Sequence, residues 1–128
     1  GGPAMGTAVE LSGENFASVI EANDLVLVDF LASWCGPCRQ FAPIFEAVAQ
    51  KNPTGVFGKV DTEAEQELAG SFGIQSIPTL MIFRQGILIF NQPGALPQHA
   101  LEDLVAKALE LDMDEVRREI ETQQADPS

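Results

Sequence analysis

Tyrosine is absent from this 128-residue chain, tryptophan and histidine occur once each, and cysteine only twice. Basic residues are scarce as well, 7 against 19 acidic ones, for a formal charge of −12. Such a field repels phosphate backbones and anionic lipid, so nucleic acid and membrane surfaces are not expected partners. No stretch approaches the roughly 20 apolar residues of a bilayer span, and the first twenty residues lack the basic start and apolar core of an export signal. The chain is accordingly expected to be soluble and cytoplasmic. Both cysteines fall in one four-residue window, too few and too close to staple a secreted fold, so their use is local. Together with the distant His99 they also fall short of the four ligands of structural zinc, and no metal site is expected.

What is present is enough apolar residue, 45% of the chain, to fill one core, and length and composition together point to a single domain. Residues 1–6, with Gly1-Gly2-Pro3-Ala4 ahead of Met5, read as a disordered cloning remnant and are set aside. Val9 and Leu11 suggest a short strand, and Ser12 a cap for a helix carrying Phe16, Val19 and Ile20 on one face. The run Leu25-Val26-Leu27-Val28-Asp29-Phe30-Leu31 is apolar on both faces, as in a buried central strand. After Cys35 the apolar positions recur at helical spacing through Phe41, Ile44, Phe45 and Val48, with Pro43 expected to kink the helix and Asn52-Pro53 to stop it. A strand over 56–61, an acidic helix over 63–71 and two strands over 79–83 and 87–90 follow, the last two joined by Arg84-Gln85-Gly86. A final amphipathic helix over 98–111 buries Leu101, Leu104, Val105 and Ala108. The order is that of an α/β fold with a mixed sheet and helices on both faces. Residues 112–128 form an extension: Leu109, Met113, Val116 and Ile120 suggest added helical core cover, and 123–128 are expected to be disordered.

The chemistry concentrates in Trp34-Cys35-Gly36-Pro37-Cys38. Following a buried strand and opening a helix, Cys35 would sit where free N–H groups and the helix dipole stabilise a thiolate. Cys38 lies one turn later on the same face, placed to attack a mixed disulfide that Cys35 has formed. Gly36 allows close approach of a client backbone, and Pro37 stiffens the first turn. A purely stabilising disulfide is the weaker reading, because closing so short a loop contributes only about 2 kcal/mol. Asp29 is a carboxylate in an apolar strand; burial would raise its pKa and let it exchange a proton with Cys38. The bland alternative is a solvated acid at the strand end. Lys59, on the neighbouring strand, is either its charge partner or a lone surface lysine. Replacing Asp29 by Asn is expected to slow turnover at neutral pH far more than it changes stability.

With Val28-Asp29-Phe30, Trp34-Cys35-Gly36-Pro37-Cys38, Ile77-Pro78-Thr79 and Gly94 in this order and spacing, residues 7–111 resemble the thioredoxin family. The stretch Cys38-Arg39-Gln40-Phe41-Ala42-Pro43-Ile44-Phe45 looks most like its bacterial thioredoxin-2 group, although the extra cysteine pairs of that group's N-terminal zinc ribbon are missing. The resemblance implies a thioredoxin domain over 7–111: a central mixed five-stranded sheet flanked by four helices, with an extra C-terminal helix as a further option. It also implies a cis bond before Pro78 and a client groove of Trp34, Ile77, Pro78, Pro93 and Gly94. By the same token the protein would be a monomeric protein-disulfide reductase with no bound cofactor beyond a redox-active Cys35–Cys38 disulfide, serving cell redox homeostasis. Its partners would be client proteins and a thioredoxin reductase that passes on electrons from NADPH. Leu31 stands where many members carry an aromatic residue, and Ser76 where glycine is common, differences that bear on groove shape. Rival readings are an oxidase or isomerase of an oxidising compartment, and a binding module whose cysteines are incidental.

Overall fold

Six apolar residues out of seven in Leu25–Leu31 make the strand (β2) on which the fold is built. A computed structural model describes residues 7–125. Around β2 the chain runs β1 Val9–Glu10, α1 Phe16–Ala22, then after β2 α2 Gly36–Lys51, β3 Val56–Asp61, α3 Gln66–Ser71, β4 Thr79–Arg84, β5 Ile87–Pro93, α4 Gln98–Glu110 and α5 Met113–Ala125. The five strands form one mixed sheet in the order β1-β3-β2-β4-β5. β3 runs parallel to both β1 and β2, whereas β4 is antiparallel to β2 and to β5. β2 is thus central, and the two-residue β1 and the longer β5 are the edges.

Side chains alternate across a strand, and β2 therefore serves two cores. Leu25 and Leu27 pack with Phe41, Phe45 and Val48 of α2 and with Leu101 and Val105 of α4. Val26, Val28 and Phe30 face the other way, against Phe16 and Ile20 of α1, Met81 and Phe83 of β4, and Phe72 after α3. Helices cover both faces, as the alternation of elements predicts.

Several local expectations are corrected. Ser12 does not cap α1: its Oγ accepts the Glu14 N–H at 3.3 Å in a turn ahead of the helix, and its own N–H donates to Asn15 Oδ1 at 2.7 Å. Asn15 holds the cap position. The acidic helix starts at Gln66, not at 63, because Asp61 Oδ1 accepts the N–H groups of Glu63 and Ala64 and turns that segment away. α2 passes through Pro43 as one continuous helix. Arg84 belongs to β4 and not to the connection, which is the two-residue turn Gln85-Gly86 with φ of 51° and 81°. Positive φ at both positions matches the twist of a tight hairpin. β5 also extends three residues further than expected, to Pro93.

Arg84 is 6% exposed, and its charge is met from two sides. One Nη donates to the Ala108 carbonyl at the end of α4, the other to Asp24 Oδ1 at 3.4 Å; Nε lies 3.2 Å from Asp24 Oδ2 but off the line of a hydrogen bond. α4 stops at Leu111, and the extension forms the fifth helix, α5. Its Met113 is buried and Val116 and Ile120 half-buried, but Leu109 is 48% exposed and drops out of the expected stripe. Arg117 donates to Gln85 Oε1 at 2.6 Å, tying α5 to the hairpin turn. Residues 123–125, expected to be disordered, complete this helix. The expectations for 1–6 and 126–128 lie outside the described residues.

Gly58 sits in β3 between Val9 and Val28, and a Cβ there would fall 2.7 Å from Cγ of the buried Leu11. Gly58→Ala is expected to cost about 1–3 kcal/mol through this overlap. Urea unfolding measures it; an unchanged midpoint would mean that Leu11 gives way freely.

Candidate active site

β2 delivers the chain to the redox centre, and α2 receives it. Cys35 is the N-cap residue of α2, extended at φ −80° and ψ 115°, and its Sγ accepts the Cys38 N–H at 3.2 Å. That bond satisfies one of the free donors of a helix N-terminus, the place where negative charge on sulfur is stabilised. Cys35 and Cys38 are joined in a disulfide with their Cα atoms 5.2 Å apart, and both residues are buried. Ala32 packs against them, with Leu31 and Ile77 partly covering the pair.

Residues far apart in sequence meet at Cys35. Its Sγ lies 3.8 Å from the Ile77 carbonyl oxygen. The Ile77–Pro78 bond is cis, as the resemblance implied, and the Pro78 carbonyl accepts the Gly94 N–H at 2.8 Å. Pro93 is registered beside Thr79 at the end of the β4–β5 pair. Ile77, Pro78, Pro93 and Gly94 are therefore brought together beside Cys35. Trp34 stands next to it at 64% exposure, its indole N–H donated to Glu63. Pro37 is exposed and Gly36 half-buried at the start of α2, and no atom lies within 4 Å of where a Gly36 side chain would begin.

Asp29 is fully buried in β2, two residues before its end, and neither carboxylate oxygen has a hydrogen-bond partner. Lys59 is its register neighbour on β3, as expected, but reaches it only as a charge. Burial pushes the Asp29 carboxyl up to about 7, against a smaller downward pull from Lys59. A carboxyl in that range holds or releases a proton near neutral pH. A cleft of about 510 Å³, which sequence reasoning missed, opens beside the other sulfur. Cys38, Lys59, Leu31, Arg39 and Ala42 are among its lining residues, whereas Trp34, Ile77, Pro78, Pro93 and Gly94 are not. Of the two cysteines, Cys38 alone lines this cleft. Among the described residues no group of three or more potential ligands could hold a metal ion, and no helix is long and apolar enough to cross a membrane.

A bonded Cys-x-x-Cys at the open end of a helix, beside a cis-proline loop, defines a thiol–disulfide exchange protein. The thioredoxin family model matches residues 7–107. A Streptomyces coelicolor protein named "Putative thioredoxin 2" is 57% identical over 94% of this chain and 90% of its own length. Thioredoxin C-3 of Corynebacterium nephridii is 41% identical over 80% of this chain and 71% of its own. Among solved structures, a single-substitution variant of Halobacterium salinarum thioredoxin superposes with a TM-score of 0.78 at 32% identity, covering 87% of this chain and 98% of that one. The chain belongs to the thioredoxin family. It is a protein-disulfide oxidoreductase, and its redox-active group is the Cys35–Cys38 disulfide.

Proposed function

We propose that the protein is a cytoplasmic reductase of client protein disulfides in which Cys35 attacks, Cys38 resolves and Asp29 handles the proton. The observation that carries this reading is the position of Cys35: at the head of α2, with the Cys38 N–H aimed at its sulfur and the Ile77–Pro78 loop alongside.

In the reduced protein, the Cys35 thiolate attacks one sulfur of a client disulfide and expels the other as a thiolate, which takes up a proton. Cys38 loses its proton to Asp29, and its thiolate attacks Cys35 in the mixed disulfide. The second client sulfur leaves as a thiolate, the Cys35–Cys38 bond forms, and two electrons have passed to the client. Lys59 tunes the acidity of Asp29 from the adjacent strand, and the cleft beside Cys38 gives solvent protons a path that a bound client does not cover. Trp34, Gly36, Pro37, Ile77, Pro78, Pro93 and Gly94 form the surface that receives the client chain.

A thioredoxin reductase supplied by NADPH regenerates the dithiol. Work in a reducing compartment fits a sequence whose only cysteines are the redox pair, leaving none for structural disulfides. Residues 7–111 act as the catalytic domain, in monomeric form, with 112–128 as an accessory extension.

Equilibration with graded thiol–disulfide buffers tests the direction of electron flow. A reduction potential near −270 mV, as for other thioredoxins, is expected. A potential between about −180 and −120 mV would overturn the reductase reading in favour of an isomerase or oxidase.

A further inference from the structure

Trp34 is the chain's sole tryptophan and, at 64% exposure, its most exposed large apolar side chain among the described residues. A bare indole with two free torsions would sample several positions beside Cys35, yet here it is held. Its Nε1 donates to Glu63 Oε1 at 2.5 Å, across 29 residues of sequence. Glu63 is itself fixed from below. Its N–H donates to Asp61 Oδ1 at 2.9 Å, and the preceding Thr62 donates to the Leu31 carbonyl twice, through N–H at 2.8 Å and Oγ1 at 3.0 Å. Leu31 ends β2, with Trp34 only three residues on. The segment after β3 and the segment after β2 are therefore clamped together, and the outermost link of the clamp is the Glu63–Trp34 bond.

We propose that Glu63 is a positioning residue for client binding: it holds the Trp34 indole in place as one wall of the surface beside Cys35, without taking part in thiol exchange. Ordering a side chain before the encounter removes that entropic cost from the binding step. A carboxylate accepting an indole N–H is also a charge-assisted bond, stronger than one between neutral groups. The proposal rests on the assignment of Trp34 to the client-binding surface, and predicts an effect on client affinity alone.

The test compares the full chain with Glu63→Ala and Glu63→Gln, each kept reduced by dithiothreitol, using insulin as the protein client. Glu63→Ala is expected to raise KM for insulin about 5-fold, the size of one exposed hydrogen bond, with kcat unchanged. Glu63→Gln, whose amide oxygen can accept the same bond, should restore most of the loss. The single-turnover rate with a small aromatic disulfide should be the same in all three proteins, because a small substrate needs no wall. The fluorescence anisotropy of Trp34 should fall in Glu63→Ala and recover in Glu63→Gln. An unchanged KM with unchanged anisotropy in Glu63→Ala overturns the proposal. So does a Glu63→Gln variant as impaired as Glu63→Ala, which would assign the effect to charge and not to the indole bond. A wild-type protein that reduces neither insulin nor the small disulfide overturns the exchange assignment itself, and the proposal with it.

Discussion

Cys35→Ser is expected to lower protein-disulfide reduction by on the order of a thousandfold or more, to the uncatalysed background, because a serine hydroxyl at neutral pH offers no comparable nucleophile. Cys38→Ser is expected to stop turnover in a different way. The attacking sulfur, the helix terminus and the Ile77–Pro78 loop all survive, so a client is captured, but nothing attacks the mixed disulfide and the adduct accumulates. Non-reducing electrophoresis after mixing with an oxidised client separates the two outcomes. Adducts on Cys35→Ser and none on Cys38→Ser would reverse the roles; adducts on neither would remove the two-step mechanism.

Asp29→Asn carries the second large effect, and it is felt in stability as well as in rate. The Asp29 carboxyl titrates at about 7 in the folded protein, against about 3.9 in an unfolded chain. Between these values the folded state holds a proton that the unfolded state has released, so stability falls as pH rises from about 4 to about 7. The loss approaches about 4 kcal/mol and is complete above pH 7. An Asn at this position removes that slope. At pH 8 the variant should be more stable than the parent by a figure of that order, with the advantage gone below pH 4. Urea unfolding of the oxidised proteins at pH 4, 6 and 8 measures it, and parallel stability profiles would refute the buried, high-pKa carboxyl. Turnover at neutral pH should fall too, under the proposed transfer of the Cys38 proton to Asp29. The expectation from sequence, that turnover at neutral pH would change far more than stability, is put to the test by the same variant once both are measured across pH. Complete burial without a hydrogen-bond partner makes the ionisation of this carboxyl a direct load on the fold.

The redox centre was legible in the sequence because its chemistry is local: two cysteines, the proline between them and the strand-to-helix switch lie within a few residues. Asp29 was legible for a related reason, a charge where the pattern called for an apolar residue, and the register of β2 against β3 placed Lys59 correctly opposite it. Arg84 shows the limit. Beside Gln85-Gly86 it reads as part of a turn, and the partners that make its burial tolerable, Asp24 and the Ala108 carbonyl, lie 60 and 24 residues away. The Glu63–Trp34 bond was hidden in the same manner, in an acidic stretch where one more glutamate looks like a solvated face. The reach of α5 was missed because its polar composition suggests disorder. Internal pairs such as Arg117–Asp114 and Arg118–Glu115, and docking through Met113, support it instead.

The ends of the sheet bear on how the protein behaves at high concentration. An open strand margin is a template on which a second molecule can lay its own strand, and sheets that leave long, flat margins tend to grow into fibrils. Here one margin, β1, offers only two residues, and the other, β5, finishes in Asn91-Gln92-Pro93, where proline has no N–H to give. Both margins are therefore poor seeds, and a formal charge of −12 keeps neighbouring copies apart. A chain proposed to act on the disulfides of other proteins is in this way shielded from adhering to its own kind.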